Sequence, residues 1–350
     1  MTTLRRRGAR ATCASALAFA LFVTLAGCGS KKAAAPASPN SKTIATSRTT
    51  AAAPAVFPLT GLPADPNSGR PALSIKIDNI DDALPQSGLN FADVVYDVLV
   101  EGGQTRLFAT IQSHDADIVG PIRSARPVDA DLLAALGGGL FAYSGAAPGE
   151  IAPVEDHSGA TLLSNDDGVS AFYRAKGHRA PHNVYASTPD LYAAGAEAGD
   201  HSPPPPALFK FGPPAPGQPN AGADVPMGQY ADAAWRWNPQ LGQYERDQNG
   251  SPDVLEDGTN VTADNVLIMS VAITGTGVFD VNRVEDPLPV VIGFGPCWLL
   301  RDGQLIAGTW ARASVTSPTV FHDSAGHDLV LHTGRTWVEL QQNSLQPTFN

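Results

Sequence analysis

Alternating apolar and polar positions predict β-strands along much of the chain. Residues 73–77 alternate as a half-buried strand does, and two β-rich runs over residues 94–100 and 106–111 flank Gly102-Gly103-Gln104, which predicts a hairpin. Further strand-like runs share a β-branched and apolar character: residues 266–273, 288–292, 298–301, 304–310, 329–331 and 336–340. Asp302-Gly303 between two of these runs is a strong signal of a two-residue hairpin turn.

Helix signals occur at two places between the strand-like runs. Pro127 early in its segment, Asp129 in the first turn and glycines 137–139 at the end predict a helix over residues 127–136. Thr188-Pro189-Asp190 predicts a second helix, with Thr188 as its N-cap, closing near Gly199. Strands and helices are mixed without the steady alternation of a doubly wound sheet, so the predicted fold class is α+β.

Changes of composition divide the chain into segments. Residues 28–57 are rich in Ala, Pro, Ser and Thr and predict a disordered tether, which would reach roughly 30 Å if flexible. Residues 202–222 are rich in Pro and Gly and predict a linker or a long loop. The predicted segments are a signal peptide (1–27), the tether, a mixed α/β N-terminal domain (58–201), the linker and a smaller β-rich C-terminal domain (223–350).

The first residues have the order of a lipoprotein signal peptide. Four arginines at positions 5, 6, 7 and 10 precede an apolar run over residues 14–25, which is too short for a permanent membrane span. The run ends in Leu25-Ala26-Gly27-Cys28, the pattern at which bacterial lipoproteins are cut and lipidated. An ordinary secretory signal is the alternative, and export by the general secretory or the twin-arginine route stays open. We predict a protein anchored by lipid on Cys28 to the outer face of the cytoplasmic membrane.

The negative net charge limits the classes of partner that the protein can bind. The whole chain has 23 Lys+Arg, 34 Asp+Glu and a net charge of −11, and removal of residues 1–27 takes away four arginines and no acid, which leaves about −15. Nucleic acids and anionic head groups require basic surfaces, so we predict no nucleic-acid partner and attachment to the membrane through the lipid alone. Cys297 is the last cysteine of the mature chain, which excludes an internal disulfide, and its apolar neighbours predict a buried thiol.

Several ordered motifs resemble the YerB-like lipoproteins, a family with an N-terminal and a C-terminal part of unknown function. In the first part the matching stretches are Arg70-Pro71, Ile77-Asp78-Asn79, Pro85-Gln86-Ser87-Gly88-Leu89, Ala92-Asp93-Val94-Val95-Tyr96, Val100-Glu101-Gly102-Gly103, Thr105-Arg106, residues 120–127 and residues 181–185. In the second part they are Asp264-Asn265-Val266, Asp302-Gly303, Gly308-Thr309-Trp310 and Gly334-Arg335-Thr336-Trp337. The sequence departs from the pattern at Val98 and at Ala311-Arg312. The resemblance implies an envelope lipoprotein with a larger mixed α/β domain and a smaller β-rich one, and it implies no particular chemistry.

A dense polar cluster is the best candidate for a functional site. Its candidate ligand-binding residues are Glu101, Arg106, Arg123, Ser124, Arg126, His182 and Asn183. Two of the arginines lie three residues apart, just before the helix predicted from Pro127, and guanidinium groups near a helix N-terminus favour an anionic ligand. The alternative is an internal ion-pair network in which the arginines neutralise Glu101, Asp93 or Asp97.

Catalytic and metal-binding interpretations have weaker support in the sequence. Ser124 with His182 and an aspartate could serve a hydrolase, but Ser124 lacks the Gly-x-Ser-x-Gly context of a nucleophile elbow. His178 and His182 have a metal-like spacing, but Pro181 argues against a helix that presents both. We predict no cofactor and no metal. The predicted function is a non-enzymatic envelope protein that binds a cell-wall fragment or an envelope protein. The alternative is a cell-wall hydrolase or transferase that uses Glu101, Arg123, Ser124, Arg126 and His182.

Overall fold

A computed structural model of the protein describes residues 55–213, 216–279 and 283–350. The predicted signal peptide, the lipidation site Cys28 and nearly all of the predicted tether lie outside the described residues. Phe57 and Leu59 are buried, so the packed part of the chain begins close to the predicted end of the tether. Within the described ranges, no helix is both long and apolar enough to cross a membrane.

Strands dominate the described part of the chain and helices are few. Its α-helices are α1 (Val128–Ala135), α2 (Pro148–His157) and α3 (Thr188–Glu197), and its short 3-10 helices are Pro66–Gly69, Asp81–Ala83, Leu89–Phe91 and Glu101–Gly103. The first eleven strands are β1 (Leu73–Asp78), β2 (Val94–Leu99), β3 (Thr105–Ile111), β4 (Gly139–Tyr143), β5 (Ala160–Ser164), β6 (Phe172–Arg174), β7 (Val184–Ala186), β8 (Lys210–Phe211), β9 (Gln218–Pro219), β10 (Gly222–Pro226) and β11 (Asp232–Asn238). The others are β12 (Gln243–Gln248), β13 (Ser251–Pro252), β14 (Thr262–Ala263), β15 (Asn265–Phe279), β16 (Glu285–Val290), β17 (Gly293–Arg301), β18 (Gln304–Arg312), β19 (Val320–Asp323), β20 (Val330–Leu331), β21 (Thr336–Gln342) and β22 (Thr348–Phe349).

One mixed sheet of twelve strands runs through the folded part. Its order is β19-β18-β17-β15-β21-β2-β3-β1-β4-β5, with β16 beside β15 and β9 beside β18. The parallel pair of β2 and β21 joins strands that lie far apart in sequence, with Asp97 opposite Glu339. The hairpin of β2 and β3 is antiparallel, as predicted, and β4 pairs in parallel with both β1 and β5. This strand-rich mixture of parallel and antiparallel pairs fits α+β at the level of fold class. The division into domains stays a prediction.

Both faces of the central sheet are covered. On one face, Leu191 of α3 and Trp235 of β11 belong to one apolar core, and β11 is part of a second sheet with the order β13-β12-β11-β10-β22. On the other face, Leu133 of α1 packs in a second core with Phe108 of β3. A strand that is covered on both faces buries its polar side chains as well as its apolar ones.

This double burial corrects the prediction of a half-buried strand over residues 73–77. All six residues of β1 are buried, including Ser74 and Lys76. The Ser74 hydroxyl lies 3.0 Å from the Thr110 hydroxyl, and the Lys76 ammonium donates to an Asp129 carboxylate oxygen 2.7 Å away. The alternation of apolar and polar residues therefore predicts the strand correctly, but it wrongly predicts that the polar side chains face solvent.

The two predicted helices are present as α1 and α3, and the structure adds a third, α2. The N-cap of α3 is Ser187 rather than Thr188, because the Ser187 hydroxyl accepts from the backbone N–H of Asp190. Helix α2 begins at Pro148, and the Glu150 carboxylate accepts the backbone N–H of Ala147 at 2.6 Å. Pro153 inside α2 lacks the backbone N–H that a helix needs at this position, so the local sequence does not predict this helix.

The turn between β17 and β18 is the predicted two-residue hairpin. Arg301 pairs with Gln304, and the two central residues have positive φ angles, 52° at Asp302 and 68° at Gly303. Glycine adopts such angles without strain and aspartate tolerates them better than most residues, so the sequence pair and the turn agree.

Gly303→Val should lower the free energy of unfolding by about 1–3 kcal/mol through backbone strain, measured by urea denaturation. A β-carbon at Gly303 would also lie 2.8 Å from the Trp237 indole nitrogen. Gly250→Val is the matched control, because Gly250 has a similar φ of 78° in the β12–β13 turn and open space around it. The loss at Gly303 should exceed the loss at Gly250, and equal stability of Gly303→Val and the native protein would contradict the strained turn.

Candidate functional site

The predicted arginine segment is inserted between the carboxyl ends of two parallel strands. The Arg123 N–H donates to the Lys76 carbonyl of β1 at 2.8 Å, and the Arg123 carbonyl accepts the Ser144 N–H, just beyond β4, at 3.0 Å. The Ala125 N–H donates to the Gly145 carbonyl at 3.0 Å. These backbone bonds fix the direction in which each arginine side chain leaves the segment.

Arg126 is buried among three carboxylates. Its guanidinium donates two hydrogen bonds to Glu101, and the one from Nε is 3.0 Å long. It donates a third hydrogen bond to Glu150 at 3.3 Å. The Nε atom also lies 3.4 Å from an Asp286 oxygen, and Arg126 is only 3% exposed. Although burial opposes it, these carboxylates raise the pKa of Arg126 above its usual value. The side chain therefore acts as the centre of an internal ion-pair network.

Arg106 lies beside this network with fewer partners. One of its terminal nitrogens is 3.8 Å from Glu101 and the other donates to the Ser124 carbonyl at 3.4 Å. Burial, and next the positive charge of Arg126, lower the pKa of Arg106 to about 10. Its Nε atom is buried without a hydrogen-bond acceptor among the described residues.

Arg123 and His182 meet at a single buried carboxylate. The Asp78 Oδ2 atom lies 3.0 Å from Arg123 Nε and 2.7 Å from His182 Nδ1. Asp78 is 1% exposed, whereas a fifth of the Arg123 side chain is open to solvent. The structure thus brings Arg123 and His182 together, through an aspartate that the sequence cluster did not include.

Charges in this region nearly balance. Four cations face five carboxylates in direct pairs: Lys76, Arg106, Arg123 and Arg126 against Asp78, Glu101, Asp129, Glu150 and Asp286. Burial raises the pKa of Asp286 to about 7 in spite of Arg126, so this carboxyl titrates near neutrality. A cluster with this balance offers an anion no excess of positive charge.

The other predicted residues do not complete a catalytic arrangement in the described part of the chain. No hydrogen bond joins Ser124 to His182, and the Ser124 hydroxyl lies towards Gly145. The Asn183 side-chain oxygen accepts from Arg174 at 2.7 Å, and His178 pairs with Glu256 at 3.2 Å, away from His182. No three metal-binding side chains converge within the described ranges. Cys297 is fully buried, and burial raises the pKa of its thiol to about 12.

A second buried ion-pair network was not visible in the sequence. Arg246 of β12 donates to Asp253 at 2.6 Å and to Asp97 of β2 at 2.8 Å, and all three side chains are 1% exposed. Glu339 of β21 accepts the Trp235 indole N–H at 2.8 Å, and burial, together with the neighbouring Asp97, raises the pKa of Glu339 to about 8. Arg246 and Asp97 are separated by 149 residues, and Glu339 lies still further from Asp97 along the chain, so no local sequence pattern indicates this network.

A cavity of about 520 Å³, which we call the acidic cavity, lies elsewhere. Its lining consists of Ser87, Gly88, Phe91, Asp115, Asp117, Ile118, Leu255, Glu256 and Asp257. Phe91 and Ile118 are 42% and 49% exposed, which is high for large apolar side chains. The cavity volume lies in the roughly 300–1,000 Å³ range typical of ligand pockets. None of its lining residues belongs to the predicted cluster.

Comparisons with known proteins agree on one family. The family model described as "Protein of unknown function (DUF3048) N-terminal domain" matches residues 59–201. The model described as "Protein of unknown function (DUF3048) C-terminal domain" matches residues 223–338. The two matches follow one another in the order of the two family domains.

Relatives from Bacillus subtilis give the same result. The chain is 34% identical over 146 residues to the protein of strain 168 described as "Putative lipoprotein YerB", a match that covers 41% of this chain and 43% of the relative. The aligned part therefore spans less than half the length of that relative. The crystal structure of YerB protein from Bacillus subtilis superposes with a TM-score of 0.72 at 23% identity, over 84% of this chain and 99% of that chain, which shows a shared fold.

Proposed function

This chain belongs to the DUF3048 family, since both family domains match it in order, and from that membership we propose that it is a lipid-anchored protein of the cell envelope that binds a partner and catalyses no reaction. The proposed site of attachment is the outer face of the cytoplasmic membrane, through lipid on Cys28. The signal-like segment ending in Leu25-Ala26-Gly27-Cys28 supports this anchor, as does the description of the Bacillus subtilis relative as a lipoprotein.

The observation that carries the non-enzymatic part of the proposal is the pairing of Arg126. An enzyme needs its convergent polar groups free in an open cleft, where they can reach a substrate. Arg126 is instead buried and held by Glu101, Glu150 and Asp286. Groups that neutralise each other in this way favour a structural role for this cluster, and the acidic cavity is the site that we propose for binding.

One observation favours the alternative of a hydrolase or transferase acting on the cell wall. The 2.7 Å contact between Asp78 and His182 resembles the pairing of a catalytic histidine with the carboxylate that orients it. The arrangement lacks a nucleophile joined to His182, because the Ser124 hydroxyl does not bond to it within the described residues. The alternative would therefore need either a movement that brings Ser124 to His182 or a water molecule as the nucleophile beside His182.

Cys28→Ala should move the protein from the membrane fraction into an uncleaved or soluble form, because the lipid is the proposed anchor. Fractionation followed by mass spectrometry of the N-terminal peptide measures this change.

A second experiment tests for catalysis. Membranes with and without the native protein are incubated with isolated cell wall, and the released fragments are compared.

The fragment pattern should be identical in the two incubations if the protein only binds. An unchanged membrane fraction and N-terminal mass for Cys28→Ala would contradict the anchor. Cell-wall fragments that appear only with the native protein, and disappear in His182→Ala, would replace the binding role with the enzymatic one.

A further inference from the structure

We infer that the acidic cavity binds a basic segment of a partner protein, with a lysine or arginine at its carboxylates and an apolar side chain against Phe91 and Ile118. This inference rests on the proposed function, since it names the chemistry of the partner that a binding protein would take. The cavity is lined by residues from both matched regions, namely the 87–118 region of the first and Leu255–Asp257 of the second.

Two apolar side chains of the cavity are left largely uncovered by the described part of the chain. Phe91 and Ile118 stand 42% and 49% exposed on its walls, while Leu255 beside them is buried. Placing an apolar side chain against them would remove apolar surface from water, which favours binding. An aromatic ring at this position also attracts a cation placed over its face.

The carboxylates of the cavity define the charge of the ligand. Asp115, Asp117, Glu256 and Asp257 line it. Asp115 pairs with Arg70, and Glu256 lies 3.2 Å from the His178 imidazole. Within the described part of the chain, Asp117 is exposed and makes no ion pair or hydrogen bond. The mature chain is itself strongly acidic, so anionic wall polymers and head groups would be repelled at this opening. Charge complementarity therefore selects a basic occupant.

The walls of the cavity are held in place before any ligand binds. The Ser87 hydroxyl donates to Glu256 at 2.6 Å, and the Glu256 N–H donates to the Gln86 carbonyl at 2.9 Å. The Asp257 carboxylate accepts both the N–H and the hydroxyl of Thr259, at 2.9 and 2.7 Å. A preformed site loses less conformational freedom on binding than a loop that must fold around its ligand.

The volume and the opening fit a peptide segment better than a single amine. A volume of about 520 Å³ lies within the range of ligand pockets, and the site combines apolar and acidic side chains that a short peptide can contact together. A lone amine would reach the carboxylates and leave Phe91 and Ile118 exposed. We therefore assign the site to a protein segment.

The test uses the full-length lipidated protein in detergent and a hexapeptide with two lysines between leucines, labelled with a neutral dye and measured by fluorescence anisotropy. The native protein should bind it, and a matched peptide with glutamines in place of the lysines should bind clearly more weakly. Added salt should weaken binding of the lysine peptide only. Asp117→Asn should reduce its affinity about two- to fivefold, and Ile118→Ser about five- to tenfold.

Matched controls are Asp156→Asn on α2 and Leu241→Ser in the β11–β12 turn, both exposed residues outside the cavity. They should bind as the native protein does. Equal binding of the two peptides, or equal affinities of the cavity variants and the controls, would overturn the inference. Competition by hexylamine as effective as that by the peptide would overturn the assignment to a protein segment. Turnover of cell wall in the earlier incubation would refute the proposed function without affecting this assay, so the two can fail separately.

Discussion

Arg126→Ala should lower the free energy of unfolding by about 3–5 kcal/mol, because it leaves buried carboxylates without their counter-charge. Glu101, Glu150 and Asp286 all face this one guanidinium. Two arginines, Arg126 and then Arg106, hold the pKa of Glu101 below its usual value in spite of burial. Without Arg126, Glu101 would keep only the longer 3.8 Å contact with Arg106. Urea denaturation at constant pH measures the loss.

Neighbouring arginines provide graded comparisons. Arg123→Ala should cost less than Arg126→Ala, because its side chain is partly exposed and Asp78 keeps His182 as a second partner. Arg179→Ala is the matched control, since Arg179 is exposed and makes no ion pair among the described residues, and it should change stability by no more than about 0.5 kcal/mol. A loss for Arg126→Ala as small as that for Arg179→Ala would mean that the cluster is not architectural. That result would favour the hypothesis that the arginine cluster binds an anionic ligand.

Local features of the fold were predictable because each depends on a few adjacent residues. The Asp302-Gly303 pair determines its own turn angles, and the helices α1 and α3 have their signals within one turn of their ends. The central sheet is different, because the β2–β21 pair depends on residues more than two hundred positions apart. The sequence of neither strand indicates which strand it pairs with. For the same reason, the burial of Lys76 could not be read from β1 alone.

The candidate site was predictable only in part, for a related reason. Glu101, Arg106 and Arg126 do meet, since a hairpin and a helix start bring them together locally. Asp286 joins them from β16, far along the chain. The apolar residues of the acidic cavity were missed because Phe91 and Ile118 look like core residues in sequence. Their exposure is a property of the packed molecule.

Burial of acidic groups in the sheets also predicts how stability depends on pH. Folding raises the pKa of Glu339 to about 8, of Asp286 to about 7, and shifts that of Asp97 upwards as well, in each case chiefly through burial. In the unfolded chain these groups release their protons near pH 4. Between the two values the folded state holds more protons than the unfolded state, so the stability contributed by the protonated forms is complete below about pH 4 and is lost as the pH rises through the folded values.

The free energy of unfolding should therefore fall by several kcal/mol between about pH 5 and pH 8, since each group contributes about 1.4 kcal/mol for each unit of its pKa shift. Glu339→Gln should remove much of this slope, because glutamine cannot ionise while its side-chain oxygen can still accept the Trp235 N–H. Its amide can also donate to Asp97, which lies opposite on β2. Relative to the native protein, the variant should gain stability as the pH rises. Glu155→Gln, on the exposed side of α2, is the matched control and should keep the native slope. Urea unfolding curves at several pH values measure this pH dependence of stability. An unchanged slope in Glu339→Gln would contradict the prediction. It would show that Glu339 is already ionised at neutral pH, with Arg246 rather than a proton balancing its charge.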